Sequence, residues 1–250
     1  MYSLLVFDWD GTLMDSAARI VACMQSAAAD AGAPVPTSAA TREIIGLGLQ
    51  QAVATLFPAE QPGTHDRIVG HYRELFLAVD AERSRLFPDV EATLTGLADA
   101  GYLLAVATGK SRRGLARELD ETGLGSLFHA TRCADETFSK PHPQMLDEIM
   151  GELGAAAGDT LMIGDTEYDM QMAANAGTAA LGVTVLRWAS CPHADPAGQP
   201  RRGIGQPALV AVAHAEEIVP VPEPHIDPVV VECLQDAPRA VPHAVPTAVV

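Results

Sequence analysis

The sequence predicts an α/β fold: a doubly wound parallel sheet with a helical lid inserted after its first strand. Three observations carry this. Leu4-Leu5-Val6-Phe7 is a continuous apolar run, as a strand covered on both faces requires. From about residue 83 onward, short apolar runs alternate with helix-length segments, the rhythm of β-α-β units. Between about Thr37 and Ala81 the chain holds helix-like segments and no convincing strand, so a helical insertion interrupts the sheet.

The elements follow in order. After the first strand, Leu13 to Asp15 form a turn, and Ser16 is placed to N-cap a helix over about Ala17–Ala31 that Gly32-Ala33-Pro34 stops. Further helical segments cover Ala52–Phe57 and His65–Ala78, separated by a loop with Pro58, Pro62 and Gly63. Pro88-Asp89-Val90 opens a helix to about Ala100, and Tyr102–Ala107 is the second buried strand. Arg112–Glu121 is helical, Leu127–Ala130 a short third strand and Pro143–Leu153 a helix. Thr160–Ile163 forms the fourth strand, Met170–Ala176 a helix and Ala179–Val183 the fifth strand, with Ala208–Ala213 able to add one more. Eleven of the 18 prolines follow Ser190, and beyond Pro220 the composition fits an irregular or disordered tail.

Composition narrows the function classes. A chain of 250 residues can bury one large α/β core, or a core with a small insert. The formal charge of -16, with no Lys/Arg cluster, argues against nucleic acid as a partner. No apolar run approaches the roughly 18 residues of a membrane span. The N-terminal apolar run has no basic region before it and ends in acids, so it is a strand rather than a signal peptide. Cys23, Cys133, Cys191 and Cys233 are widely separated and fit free thiols in a reducing, cytoplasmic setting.

Four strand ends deliver chemistry. The first strand runs into Asp8-Trp9-Asp10-Gly11-Thr12, a pattern expected by chance on the order of 10⁻⁵ times per position. In open α/β sheets the carboxyl edge is where ligands bind. Asp8 is positioned as a nucleophile and Asp10 as the acid and base that protonates a leaving oxygen and then activates water. Thr108-Gly109-Lys110-Ser111 offers a hydroxyl and backbone N–H groups to phosphate oxygens, although Thr-Gly is also an ordinary helix-start signal and Lys110 and Ser111 fit one. Ser139-Lys140-Pro141 places an ammonium in a stiffened stretch, suited to neutralising carboxylate and phosphate charge. Gly164-Asp165-Thr166-Glu167-Tyr168-Asp169 supplies hard oxygen ligands of the kind Mg²⁺ selects: Asp165 is the stronger ligand candidate, and Asp169 supports it by orienting Lys140 or binding metal through water.

These residues, in this order and spacing, make the chain similar to the haloacid dehalogenase-like hydrolase superfamily. Asp8-x-Asp10-Gly11-Thr12 resembles its first motif, Thr108-Gly109 its second, Lys140-Pro141 its third and Gly164-Asp165-Thr166-x-x-Asp169 its fourth. The stretch through Asp15-Ser16 and the pattern Ile45-Gly46-x-Gly48 resemble phosphoglycolate phosphatases and their near relatives. The resemblance implies a Rossmann-like core over 1–14 and 83–190, a small α-helical cap over 15–82, and Mg²⁺ held by Asp8, the backbone carbonyl of Asp10, and Asp165. It further implies hydrolysis of a small phosphorylated metabolite through an aspartyl-phosphate, with Asp8, Asp10 and Lys140 catalytic and Thr12, Thr108 and Gly109 at the substrate. Dehalogenases of the superfamily lack the second acid, so Asp10 favours phosphoryl chemistry, and Thr12 points the same way.

One stretch departs from the pattern. After Val183-Thr184 the relatives continue with a Gly-rich turn, a helix and a final strand. Here 191–250 is Pro/Ala/Val-rich, either an unusual extension or a terminus out of its natural frame. Two other readings stay open from sequence: a sugar phosphomutase of the same superfamily, and a non-catalytic phosphate-binding regulatory module. Substrate choice is assigned to the cap, with Arg42 and Glu43 as candidates. The sequence leaves the oligomeric state unknown.

Overall fold

The computed structural model of the chain describes residues 2–78, 83–186 and 208–211. It begins with β1 (Leu4–Phe7) and the two-residue β2 (Met14–Asp15). Four helices follow: α1 (Ala17–Asp30), α2 (Ser38–Glu43), α3 (Leu49–Leu56) and α4 (Pro62–Leu77). The chain returns through β3 (Arg85–Leu86), which pairs antiparallel with β2, so the helical stretch leaves and re-enters through one two-stranded ribbon. Then come α5 (Val90–Asp99), β4 (Leu103–Thr108), α6 (Arg112–Thr122), β5 (Ala130–Cys133), α7 (Gln144–Leu153), β6 (Thr160–Gly164), α8 (Glu167–Ala176) and β7 (Ala179–Leu186). A last strand, β8 (Ala208–Ala211), pairs antiparallel with β7.

The sheet order is β5-β4-β1-β6-β7-β8, with every pair parallel except the last. Strand alternation divides β1 between two apolar layers. Leu5 and Phe7 pack with Leu94 of α5 and Leu115 of α6 on one face. Leu4 and Val6 pack with Met145, Leu146 and Ile149 of α7 and Met172 of α8 on the other. Fully burying each such side chain contributes about 1.5–3 kcal/mol. The chain builds outward from β1 through β4 to β5, then returns to the opposite flank with β6 and β7. The carboxyl ends of β1, β4 and β6 therefore meet where the winding reverses, the position that binds ligands in open α/β sheets.

The four inserted helices have their own apolar core. Met24, Ala27 and Ala28 of α1 meet Val53 of α3 and Ile68 and Val69 of α4. The small residues of α1 let α4 approach closely, which explains an alanine-rich helix in a chain with few aromatics.

Three local expectations need correcting. The third strand lies at Ala130–Cys133, not Leu127–Ala130, because Leu124–Leu127 forms a 3₁₀ turn after the left-handed Gly123 and its leucines feed the core. That strand is an edge whose Arg132 bridges to Glu148 and Glu152, so apolar content marked the turn instead of the strand. The helix expected at Met170 starts at Glu167, fixed by a capping box between Thr166 and Asp169. Ser16 does sit at the N-cap of α1, but its hydroxyl donates to Asp10 Oδ1 at 2.7 Å and caps no helix N–H.

The extra strand expected over 208–213 is described over its first four residues. The remaining expectations for 191–250, and Cys191 and Cys233, lie outside the described residues. Cys23 and Cys133 are free thiols, and burial pushes the Cys133 thiol up to about 12. Among the described residues no helix is long and apolar enough to cross a membrane.

Candidate active site

The last residues of β1 enter the site directly. The Asp8 N–H donates to the Ile163 carbonyl at 2.8 Å, which extends the ladder by one residue and holds the Asp8 side chain at the sheet edge. Asp8 is 1% exposed. Lys140, 0% exposed, reaches it from the loop before α7, with Nζ 2.8 Å from Asp8 Oδ1. The same ammonium donates to Asp169 Oδ1 at 2.5 Å. Asp169 Oδ2 accepts from the Thr166 hydroxyl at 2.8 Å, so the helix cap that starts α8 also aims Asp169 at Lys140. Burial would pull the Lys140 ammonium down, but Asp169 and Asp8 outweigh it and hold this group above the ordinary lysine range. Asp8 moves the other way: burial pushes its carboxyl well up despite Lys140.

Asp165 lies across Gly11. Thr12 donates to Asp165 Oδ1 at 2.9 Å, and burial, with Asp169 nearby, raises the Asp165 carboxyl to about 6. Gly11 has φ +91°, and a Cβ there would fall 2.2 Å from Asp165 Oδ2. The Asp-x-Asp-Gly-Thr turn thus needs glycine both for its backbone and for the carboxylate passing over it.

Asp8, Asp165 and Asp169 offer carboxylate oxygens within 4.8 Å of one another. One buried ammonium cannot balance three carboxylates. Neither Asp8 oxygen has a hydrogen bond of acceptable geometry, although both are fully buried. Lys140 pairs with Oδ1 by charge, but Oδ2 is left without a partner, and a buried carboxylate oxygen in that state carries a desolvation penalty. Excess negative charge and orphaned hard oxygens suit a divalent cation such as Mg²⁺.

Asp10 faces a different set of groups. Both of its oxygens accept from Lys110 Nζ at 2.8 Å, and Ser16 adds the contact already described. Lys110 also lies 3.3 Å from Glu118 Oε1, while Glu118 Oε2 accepts from the Trp9 indole at 2.5 Å. Burial works against the Lys110 charge, but Asp10 and Glu118 prevail and raise it. Sequence reasoning treated Lys110 as a helix-start residue and missed Glu118 altogether. A signal was present. Lys110 stands just before the N-cap Ser111, where a cation opposes the helix dipole, and Glu118 shares a helix face with buried Leu115, so both needed tertiary partners.

Thr108 and Gly109 sit at the end of β4. The Thr108 hydroxyl accepts from the Lys110 N–H at 3.2 Å, leaving its own proton for another acceptor. At Gly109 a Cβ would lie 2.5 Å and 2.6 Å from the carbonyl oxygens of Gly46 and Leu47. The loop before α3 therefore rests directly on the end of β4. It is fixed further by the Gly48 N–H donating to Ser139 Oγ at 2.7 Å. Gly109→Ala is expected to push this loop off the site and lower kcat/KM by about a hundredfold, since a displacement near 1 Å at a site has that order of effect. Steady-state kinetics beside a melting curve checks this: the kinetic loss should far exceed the change in Tm.

A cavity of about 480 Å³ lies between this loop, α1, α3, α4 and the strand ends, with Asp8, Asp10, Thr108 and Gly109 on its floor. Asp165 opens instead into a second cleft with Arg42, Glu43 and Tyr168. Arg42 and Glu43, the cap residues singled out from sequence, belong to that cleft and not to the cavity above Asp8. The residues that do line the cavity from the helical insertion include Tyr72 and Phe76, which sequence reasoning did not name.

Comparison with known proteins agrees with this arrangement. The family description "Haloacid dehalogenase-like hydrolase" matches residues 5–183. The chain is 38% identical over 191 residues to "Probable phosphatase IndB" of Dickeya dadantii (strain 3937), covering 74% of this chain and 82% of that one. It is 30% identical over 190 residues to a "Phosphoglycolate phosphatase" of Vibrio cholerae, covering 72% and 84%. A solved structure from Bacteroides fragilis, described as "Putative haloacid dehalogenase-like hydrolase", superposes with TM-score 0.67 at 28% identity, covering 73% of this chain and 87% of that one.

Proposed function

This chain belongs to the haloacid dehalogenase-like hydrolase family as a phosphoric monoester hydrolase, and we propose that it works as a Mg²⁺-dependent phosphatase through an aspartyl-phosphate on Asp8. The observation that carries this reading is the buried Asp8 carboxylate, ion-paired with Lys140 through one oxygen and without a partner on the other, at the floor of a cavity large enough for a phosphorylated metabolite. The reading assigns residues 1–14 and 83–190 to the core and 15–82 to a cap.

Asp8 is the nucleophile: an oxygen of its carboxylate forms the bond to phosphorus as the ester oxygen departs. The free Thr108 proton and the Gly109 N–H are assigned to phosphoryl oxygens. Lys140 offsets charge on Asp8, and Asp169, with Thr12, keeps Lys140 and Asp165 in place. Asp10 is the proton carrier, giving a proton to the leaving oxygen and taking one from the water that hydrolyses the aspartyl-phosphate. Asp8, the Asp10 carbonyl and Asp165 are the ligands assigned to Mg²⁺, which when bound would screen the repulsion between carboxylate and phosphate.

Turnover of p-nitrophenyl phosphate that requires Mg²⁺ and stops on chelation tests this reading. Metal-independent turnover would overturn it. A mutase would instead interconvert sugar phosphates faster than it releases inorganic phosphate, and a regulatory module would bind phosphate esters without turnover.

The acid with a carboxyl raised to about 6 gives a pH prediction that does not depend on activity. In the metal-free protein the Asp165 carboxyl, partly desolvated in its cleft and crowded by Asp169, resists ionisation, so its contribution to stability is present below the ordinary aspartate range and is lost as pH rises through about 6. Mg²⁺ needs the ionised form, so its affinity should fall about tenfold per pH unit below that point. The rise in Tm on adding Mg²⁺ should therefore be large near pH 7.5 and small near pH 5, as read by differential scanning fluorimetry.

A further inference from the structure

Resting on the phosphatase reading above, we infer that the substrate is a phosphomonoester whose alcohol portion is bulky, uncharged and largely apolar, rather than one bearing a carboxylate near the phosphate. The phosphoryl group is anchored at one end of the cavity, by Asp8, Thr108 and Gly109. The alcohol portion must then extend along the inner face of the helical insertion. That face is Ile20 and Met24 of α1, Ile45 and Leu47 of the loop before α3, and Tyr72 and Phe76 of α4. Phe138, 66% exposed, adds an apolar ring at the rim. A cavity of about 480 Å³ lies within the range of pockets for drug-sized ligands, roughly 300–1,000 Å³, well above the needs of a two-carbon ester.

The charges in the cavity point the same way. Its described lining holds two cations, Lys110 and Arg73, and three acids, Asp8, Asp10 and Asp135. Lys110 is committed to Asp10 and Glu118, and its ammonium also lies 4.6 Å from the Phe76 ring centre. Arg73 is exposed at the surface of α4. A substrate carboxylate next to the phosphate would lose its water against apolar side chains, and the described lining holds no uncommitted buried cation to replace it. An apolar or aromatic body would gain from the same walls.

The test compares kcat/KM for benzyl phosphate and 2-phosphoglycolate, with Mg²⁺ and the full-length chain. Both are alkyl esters, so the comparison reads the alcohol portion rather than leaving-group reactivity, and p-nitrophenyl phosphate serves as the reference for phosphatase activity. Benzyl phosphate is expected to exceed 2-phosphoglycolate by tenfold or more. A smaller ratio, alongside firm turnover of p-nitrophenyl phosphate, overturns the inference and leaves the phosphatase reading standing. No Mg²⁺-dependent turnover of any of the three overturns both. The exposed lining residue Gln51 provides a second readout that does not disturb the core. Gln51→Arg adds a cation to the wall and is expected to shift the ratio at least threefold toward 2-phosphoglycolate, while an unchanged ratio would contradict the assignment of this cavity to the alcohol portion.

Discussion

Asp8→Asn is expected to lower Mg²⁺-dependent phosphatase turnover by about 10⁴-fold or more, equivalent to about 5 kcal/mol of transition-state stabilisation. The carboxamide has nearly the same shape but cannot form the acyl-phosphate, so the effect should appear in kcat. Stability should not suffer. Asp8 is held 1% exposed with its carboxyl pushed well up by burial, so removing the charge removes a desolvation penalty. Lys140 keeps Asp169 as its partner. Thermal melting of the variant should match or exceed the wild type, and that separates chemistry from folding. A variant with substantial activity would remove Asp8 from the role of nucleophile.

Lys140→Met is expected to act on both counts. The ammonium is completely buried between Asp8 and Asp169, and removing it leaves two buried carboxylates facing Asp165 without a cation. Breaking a buried ion pair from one side typically costs about 3–5 kcal/mol. The sign of the pH dependence follows from the same geometry. Without Lys140 the carboxylates favour their protonated forms in the folded state, so the variant should regain stability relative to wild type as pH falls, and Mg²⁺ should restore part of it at neutral pH. Denaturant unfolding at two pH values, with and without Mg²⁺, checks this. A loss below about 1 kcal/mol at neutral pH would mean that the lysine is not the counter-charge the structure shows.

Much of this site was legible in the chain because its chemistry is written at strand ends. Asp8, Thr108 and Asp165 each follow a buried strand by one residue or close it, and parallel winding then brings β1, β4 and β6 side by side. Lys140 and Asp169 were legible as types, while their pairing required the fold. The dual use of Asp169, as helix cap and lysine partner, is a three-dimensional fact. Lys110 and Glu118 escaped because a single Lys just before a helix, or a single Glu on an amphipathic one, is ordinarily solvated, and only their packing with Asp10 and Trp9 buries them. The cavity walls escaped for a different reason. Ile20, Met24, Tyr72 and Phe76 follow helical spacing that serves equally for an internal core, so sequence cannot say which apolar residues face another helix and which face a ligand. The third strand was displaced by three residues for a related reason, since an edge strand with Arg132 is less apolar than the turn before it.

The central claim is that Asp8 carries the phosphoryl group during turnover. The most direct measurement is peptide mass spectrometry after acid quench of the Mg²⁺-loaded enzyme during rapid hydrolysis of p-nitrophenyl phosphate. One phosphoryl group is expected on the N-terminal peptide, located at Asp8, labile to hydroxylamine and absent from Asp8→Asn. Steady turnover with phosphorylation at another residue, or with no phosphorylated enzyme while a pre-steady-state burst shows that an intermediate accumulates, would contradict it.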